Sequence, residues 1–152
     1  MLSAHEKRPR SRDPERTRER LLQAAFRKVY RSGFQSASVD MILAATNVTK
    51  GALYHHFDSK EDLGHAIVDE IVAKITYDRW LAPLQRAKNP NDMLIAIVRG
   101  ISVRPRDIKG GCPLINLAQE MSPLDEQFRK RLERIFKAYC GVGKFSSRAG
   151  QS

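Results

Sequence analysis

Wherever apolar residues recur along this chain, they recur at helical spacing. Leu21, Leu22, Ala25, Phe26 and Val29 form one stripe, and Leu63, Ile67, Ile71 and Ile75 repeat every four residues. Met93, Leu94, Ile97, Val98 and Ile101 make a third stripe, and Leu124, Phe128, Leu132, Ile135, Phe136 and Tyr139 a fourth. No segment sustains the two-residue alternation of a half-buried strand, so the pattern predicts an all-α fold. Proline marks the starts, because its missing N–H costs nothing at the first helical position. Asp13-Pro14, Asn89-Pro90, Cys112-Pro113 and Ser122-Pro123 each place it directly after a capping residue. Gly33 closes the first helix at a position that tolerates left-handed geometry. Pro83 predicts a kink or an end in the long helix that opens near Ser59. A shorter helix is expected in "GGCPLINLAQEM", and beyond Cys140 "GVGKFSSRAGQS" has no apolar period and reads as a frayed tail.

Between Ser38 and Phe57 the spacing predicts two short helices. Ser38 caps the first, which turns Val39, Ile42 and Leu43 inward, and Asn47 is expected to take a left-handed turn that reverses the chain. Thr49 caps the second, with Val48 and Leu53 placed as a hydrophobic staple. At 100° per residue, Leu53 and Phe57 share a narrow inner side, while Gly51 and His55 point away from it. Gly51 has no side chain and Ala52 a small one, so another backbone can come close. Around this flat spot stand Thr49, Lys50, Tyr54, His55, His56 and Lys60, which supply hydrogen-bond donors and positive charge. Such a surface suits the phosphates and the major groove of double-stranded DNA.

Charge supports a polyanionic partner. The net charge is +10, and residues 1–60 hold 12 Lys/Arg against 6 Asp/Glu. The opening "HEKRPRSRDPERTRER" is nearly devoid of apolar residues, which reads as a solvated or disordered basic arm. The apolar run "LIAIV" is far too short to cross a membrane, and the N-terminus lacks a signal-peptide core. Cys112 and Cys140 have no metal or disulfide-framework spacing, so a cytoplasmic protein with reduced thiols and no metal or cofactor is expected.

The segment "SVDMILAATNVTKGALYHHFDSKEDL", Ser38 to Leu63, resembles the DNA-binding signature of TetR-family transcriptional regulators in its Thr-Lys-Gly-x-Leu-Tyr-x-His-Phe and Ser-Lys-Glu-x-Leu portions. The likeness runs back through "RTRERLLQAAFRKVYRSGF" to cover residues 14–65, and "GCPLINLAQEMSPLDEQFRKRLERIF" resembles the ligand domain of one subgroup. The resemblance implies a three-helix DNA-binding domain, a helical effector domain, and a homodimer that represses its operator until a small molecule binds. By motif position, Ser38, Thr49, Lys50, Tyr54, His56 and Lys60 would hold phosphates, Gly51 and Ala52 would lie at the groove, and His55 would take the neighbouring outward place. The implied organisation is a basic arm over 1–12, a DNA-binding domain over 13–58 with its helix-turn-helix at 38–57, an effector and dimerisation domain over 59–140, and a flexible tail over 141–152. Asn47 stands where the family usually has Gly. Family members pair through two C-terminal helices and usually run longer, so the effector domain here is expected to be shortened. Either such a chain binds DNA poorly, or the helix over 122–140 supplies a substitute contact.

An effector pocket is expected between helices of the second domain, with Trp80, Met93, Ile97, Cys112, Leu117 and Met121 as candidate lining residues that equally fit plain core filling. Cys112 lies ahead of a helix N-terminus, where a thiol can become reactive, and it also fits a small buried residue. Enzymatic use of Cys112 or of His55 and His56 is not expected, because no base and orienting acid accompany them at catalytic spacing. A basic module that binds an acidic protein partner is the alternative to a DNA-binding regulator.

Overall fold

The structure is a computed structural model that describes residues 13–101 and 110–148. The basic arm over 1–12 and the last residues of the expected tail lie outside that range. All regular elements among the described residues are helical. They are α1 (Pro14–Ser32), α2 (Val39–Ala44), α3 (Lys50–His56), α4 (residues 60–86), α5 (Pro90–Ile101), α6 (Pro113–Met121) and α7 (Glu126–Arg148). None of these helices is long and apolar enough to cross a membrane.

Local capping accounts for most of the starts. Asp13 accepts a hydrogen bond from Arg16 N with Pro14 at the first turn of α1, and the side-chain oxygen of Asn89 receives the N–H groups of Asn91 and Asp92 at the start of α5. The start of α7 differs from the sequence expectation. Residues 122–124 form a turn, closed by Asp125 N donating to Met121 O at 2.9 Å, and Asp125 instead caps the helix by accepting from Gln127 N and Phe128 N. One carboxylate that satisfies two N–H groups outcompetes a serine hydroxyl. Leu124, expected in the apolar stripe, is consequently 62% exposed. The far end of α7 also departs from expectation, since the helix continues past Cys140 to Arg148. Once a helix is nucleated, each added residue closes another hydrogen bond, and Gly141 and Gly143 weaken that propagation without ending it.

Within α4, Lys60–Ala66, Ala73–Thr76 and Ala82–Arg86 are α-helical, whereas Ile67–Val72 and Tyr77–Leu81 are wound as π-helix. A π-turn holds more residues per turn, so the strict four-residue repeat of Leu63, Ile67 and Ile71 drifts less around the axis and all three are buried. Pro83 does not stop the helix where it stands. Its ring cannot donate back to the carbonyl of Arg79, the turn before it is the second π-segment, and the helix ends at Arg86.

One continuous core joins the two halves of the chain. Leu21, Leu22, Ala25 and Val29 of α1 meet Ile42, Leu53 and Phe57 on one side, and Leu63, Ile67, Val68, Leu117, Met121, Phe128 and Leu132 on the other. At the junction, Phe34 and Phe128 stack edge to face with ring centres 4.9 Å apart. The rings close over Gly64, where an added Cβ would stand 2.4 Å from Phe34 and 2.5 Å from Phe128. Polar contacts reinforce it. Glu120 of α6 accepts from Phe34 N and Gln35 N, each at 2.9 Å, and Tyr30 donates to Gly111 O at 3.0 Å. Arg18 grips Glu70 with two hydrogen bonds and lies over the Phe57 ring. That side-chain hydrogen bond holds the Glu70 carboxyl below the usual carboxylate range. Asp69 pairs with Arg131 and, at 3.5 Å, with Arg134, which ties α7 to α4. By contrast α5 is thinly covered: Met93 and Ile97 are half-buried, but Leu94 and Val98 of the same predicted stripe are exposed.

Two substitutions test this junction. Gly64→Ala forces two buried rings apart and is expected to cost about 1–3 kcal/mol, read as a lowered midpoint of denaturant unfolding. Glu120→Ala strips a charged acceptor from two backbone donors, with an expected cost of about 1–3 kcal/mol and faster amide hydrogen exchange at Phe34 and Gln35.

Candidate nucleic-acid interface

The helix-turn-helix is assembled from two capped helices too short to persist alone. Ser38 Oγ accepts from Met41 N at 3.2 Å to start α2, which buries Ile42 against α1. The turn that follows is tightened by Thr46, whose N and Oγ1 both donate to Leu43 O. No residue other than glycine has a positive φ among the described residues, so Asn47 is not left-handed as its chemistry predicts. The reversal is instead spread over Ala45–Asn47, beginning with Ala45 at φ −86° and ψ 1°, a conformation open to any residue.

Thr49 Oγ1 accepts from Ala52 N at 3.2 Å and starts α3. The seven residues of α3 are held by Leu53 and Phe57, which are 0% and 2% exposed, the two inward anchors that the spacing predicts. Gly51 faces open space, with no atom within 4 Å of where a Cβ would stand. Around it Thr49, Lys50, Tyr54 and His55 are exposed, and Ala52 and His56 are half-buried on one flank. The rings of His55 and His56 meet at 5.3 Å. Lys50 Nζ lies 3.9 Å from Asp40 Oδ1 across an exposed gap, a contact that solvent screens heavily.

Two of the predicted residues have intramolecular duties as well. Ser38 is exposed while its oxygen serves as a cap. Lys60 is half-buried: its Nζ donates to Gln35 O at 3.2 Å and lies 4.7 Å from the centre of the Phe34 ring. Lys60 is thus held by the same loop that Glu120 grips from the other side. Nothing in local spacing foretells this contact, since Gln35 lies 25 residues away.

The expected effector residues do not converge. Trp80 and Cys112 line a recess of about 80 Å³ together with Ile75, Thr76, Arg79, Gly111 and Pro113. Leu117 and Met121 are buried in the core, and Met93 and Ile97 sit half-buried on α5 outside that lining. Cys112 is a free thiol, half-buried against the core, and it makes no side-chain cap to α6. The recess residues missed in the sequence, Ile75, Thr76 and Arg79, lie within about a turn and a half of Trp80 on the same helix. Thr76, a buried polar residue on an otherwise apolar side, is the signal that could have found them.

Comparison with known proteins agrees with this geometry. Residues 21–67 match the family model for bacterial regulatory proteins of the tetR family. The chain is 37% identical over 123 residues to an HTH-type transcriptional regulator in the lacX 3′ region of Lactococcus lactis subsp. lactis, covering 79% of this chain and 62% of that protein. It is 28% identical over 129 residues to the HTH-type transcriptional repressor DhaR of Mycobacterium sp. strain GP1, covering 80% and 61%. The chain therefore spans about 60% of the length of these curated relatives. Among solved structures, a TetR transcriptional regulator from Chloroflexus aurantiacus J-10-FL superposes with a TM-score of 0.75 at 29% identity, covering 92% of this chain and 73% of that one. Residues 21–67, which hold the helix-turn-helix, thus match the tetR family of bacterial regulatory proteins, and the helical frame around them is similar to that of TetR-family transcriptional regulators.

Proposed function

We propose that the protein is a ligand-responsive repressor that binds a palindromic operator as a homodimer in the cytoplasm. The observation that carries this reading is the open surface at Gly51, rimmed by the exposed Thr49, Lys50, Tyr54 and His55. Such a helix can set its backbone close to the groove floor, with Lys50 and Tyr54 on one flank and His56 on the other reaching toward phosphates. Ser38 and Thr49 keep their hydroxyl protons for a phosphate while their oxygens cap the helices. Lys60 stands at the start of α4, where it can exchange its contact with Gln35 O for a phosphate oxygen.

A single seven-residue helix reads few base pairs. Two copies placed on successive major grooves, about 34–36 Å apart, supply the missing specificity and call for a site with two-fold symmetry. Repression is supported by the name of the Mycobacterium relative. The recess beside Trp80 and Cys112 is where a small effector would act, since it borders α6, whose other end grips the loop before the helix-turn-helix.

The test is fluorescence anisotropy with duplexes from the DNA flanking the gene, at several salt concentrations. The full chain is expected to bind one duplex in preference to unrelated DNA, with affinity falling steeply as salt rises. Tyr54→Ala and Lys60→Ala should each weaken binding by about 1 kcal/mol or more; equal binding by both variants and the parent would overturn the reading. Gly51→Ala fills open space and should raise the unfolding midpoint by up to about 1 kcal/mol. Gly51→Leu should fold but lose the preferred duplex, whereas unchanged preference would show that the Gly51 surface does not enter the groove; a parent chain that prefers no duplex would point to a protein-binding basic module instead.

A further inference from the structure

The exposed side of α1 carries a row of arginines that the helix-turn-helix does not account for. At 100° per residue, Arg16, Arg20, Gln23, Arg27 and Arg31 fall within an arc of about 80° and extend over roughly 22 Å of helix. All five are exposed. Among the described residues, none of the four arginines takes part in an ion pair, and Arg16–Arg20 and Arg27–Arg31 are like-charged pairs four residues apart, a spacing that destabilises a free helix.

This is not how the rest of the surface is built. On α7, Glu126 pairs with Arg129 and Lys130, and Glu133 with Lys137; on α4, Lys74 pairs with Asp78. A solvated helix face in this protein mixes its signs, and the arginine side of α1 leaves like charges unrelieved. Of the nearby acids, Glu15 acts on Arg18, Arg18 is spent on Glu70, and Glu19 borders the row without forming an ion pair among the described residues.

The middle of the row lies beside the turn of the helix-turn-helix. Arg20, Gln23 and Arg27 line one recess with Ala45, Thr46 and a single carboxylate, Glu19. Both donors of Thr46 are already given to Leu43 O, so the guanidinium groups and the Gln23 amide supply the recess with its donors. When a recognition helix enters a major groove by its N-terminal end, the helix before it crosses the sugar-phosphate backbone. The turn that joins them therefore lies against phosphates.

We propose that Arg20 and Arg27, with Gln23 between them, form a second phosphate-binding track that grips the duplex backbone alongside the groove entered by α3. The proposal rests on the DNA-binding reading above and adds a partner surface to it. Guanidinium groups suit this task, because their planar forks bind phosphate oxygens through two parallel hydrogen bonds. The track carries no base readout, so it raises affinity for every duplex equally.

The experiment measures binding of the full chain to the preferred duplex and to an unrelated duplex across a salt series. In Arg20→Ala/Arg27→Ala, affinity for both duplexes should fall by the same factor, on the order of tenfold, and the slope of log affinity against log salt should shrink by about 2 per protomer. Arg20→Lys/Arg27→Lys should keep the parental slope. The alanine variant should also unfold at or above the parental midpoint, because a like-charged face is relieved; a lower midpoint together with an unchanged slope would assign these arginines to folding and overturn the proposal. If the parent prefers its duplex and the alanine variant has the same slope, the track fails while the regulator reading stands. If the parent binds no duplex, both fail together.

Discussion

The placement of the helix-turn-helix half on the rest of the chain depends on one carboxylate. Glu120, near the end of α6, takes the N–H groups of Phe34 and Gln35 just past Gly33, where φ is +84° and an added Cβ would press on the same carboxylate. Those N–H groups follow a helix end and lack a partner within their own segment. A charged acceptor satisfies both at once, which makes the contact directional in a way that the surrounding apolar packing is not. The Phe34 ring, fixed by this grip, then stacks on Phe128 and closes over Gly64. The carbonyl of Gln35 in turn receives Lys60. The loop between α1 and α2 is thereby shared by α4, α6 and α7, and this sharing joins recess, core and helix-turn-helix.

Within that frame the second helix of the helix-turn-helix is economical. α3 has too few residues to hold its shape through its own hydrogen bonds, and a single glycine in it costs about 1 kcal/mol in propensity. Thr49 at one end and the buried Leu53 and Phe57 beneath supply what the backbone lacks. Because stability comes from the inner side, the outer side is free of packing demands. It can carry Gly51 and two adjacent histidines, a composition that would be poor in a self-supporting helix.

Charge is organised by the same division of labour. On α7 and along much of α4, opposite charges alternate at helical spacing or bridge between helices, as when Asp69 meets Arg131 and Arg134. These pairs steady exposed helices without building a field. Four arginines with no ion pair among the described residues lie along one side of α1, which adds positive charge to the half of the molecule that carries the helix-turn-helix. A polyanion is drawn toward that half from a distance, within the reach that salt screening permits.

Features settled over a few neighbouring residues are legible in the order of the amino acids alone. Asp13, Ser38, Thr49 and Asn89 cap the helices that their positions predict, and Leu53 and Phe57 face inward beneath an open Gly51, because capping and helical periodicity act over four residues or fewer. Where two local signals compete, local rules mislead. Asp125 displaces Ser122 as the cap of α7, and the turn at Asn47 needs no left-handed residue, since in each case a neighbouring hydrogen bond offers a better arrangement. Tertiary structure alone decides the rest. The grip of Glu120 on a loop 85 residues away, the inward turn of Lys60, and the separation of Trp80 and Cys112 from Leu117 and Met121 all depend on which helices meet. No periodicity in a linear chain records such meetings, because they are set by how apolar faces share a common interior.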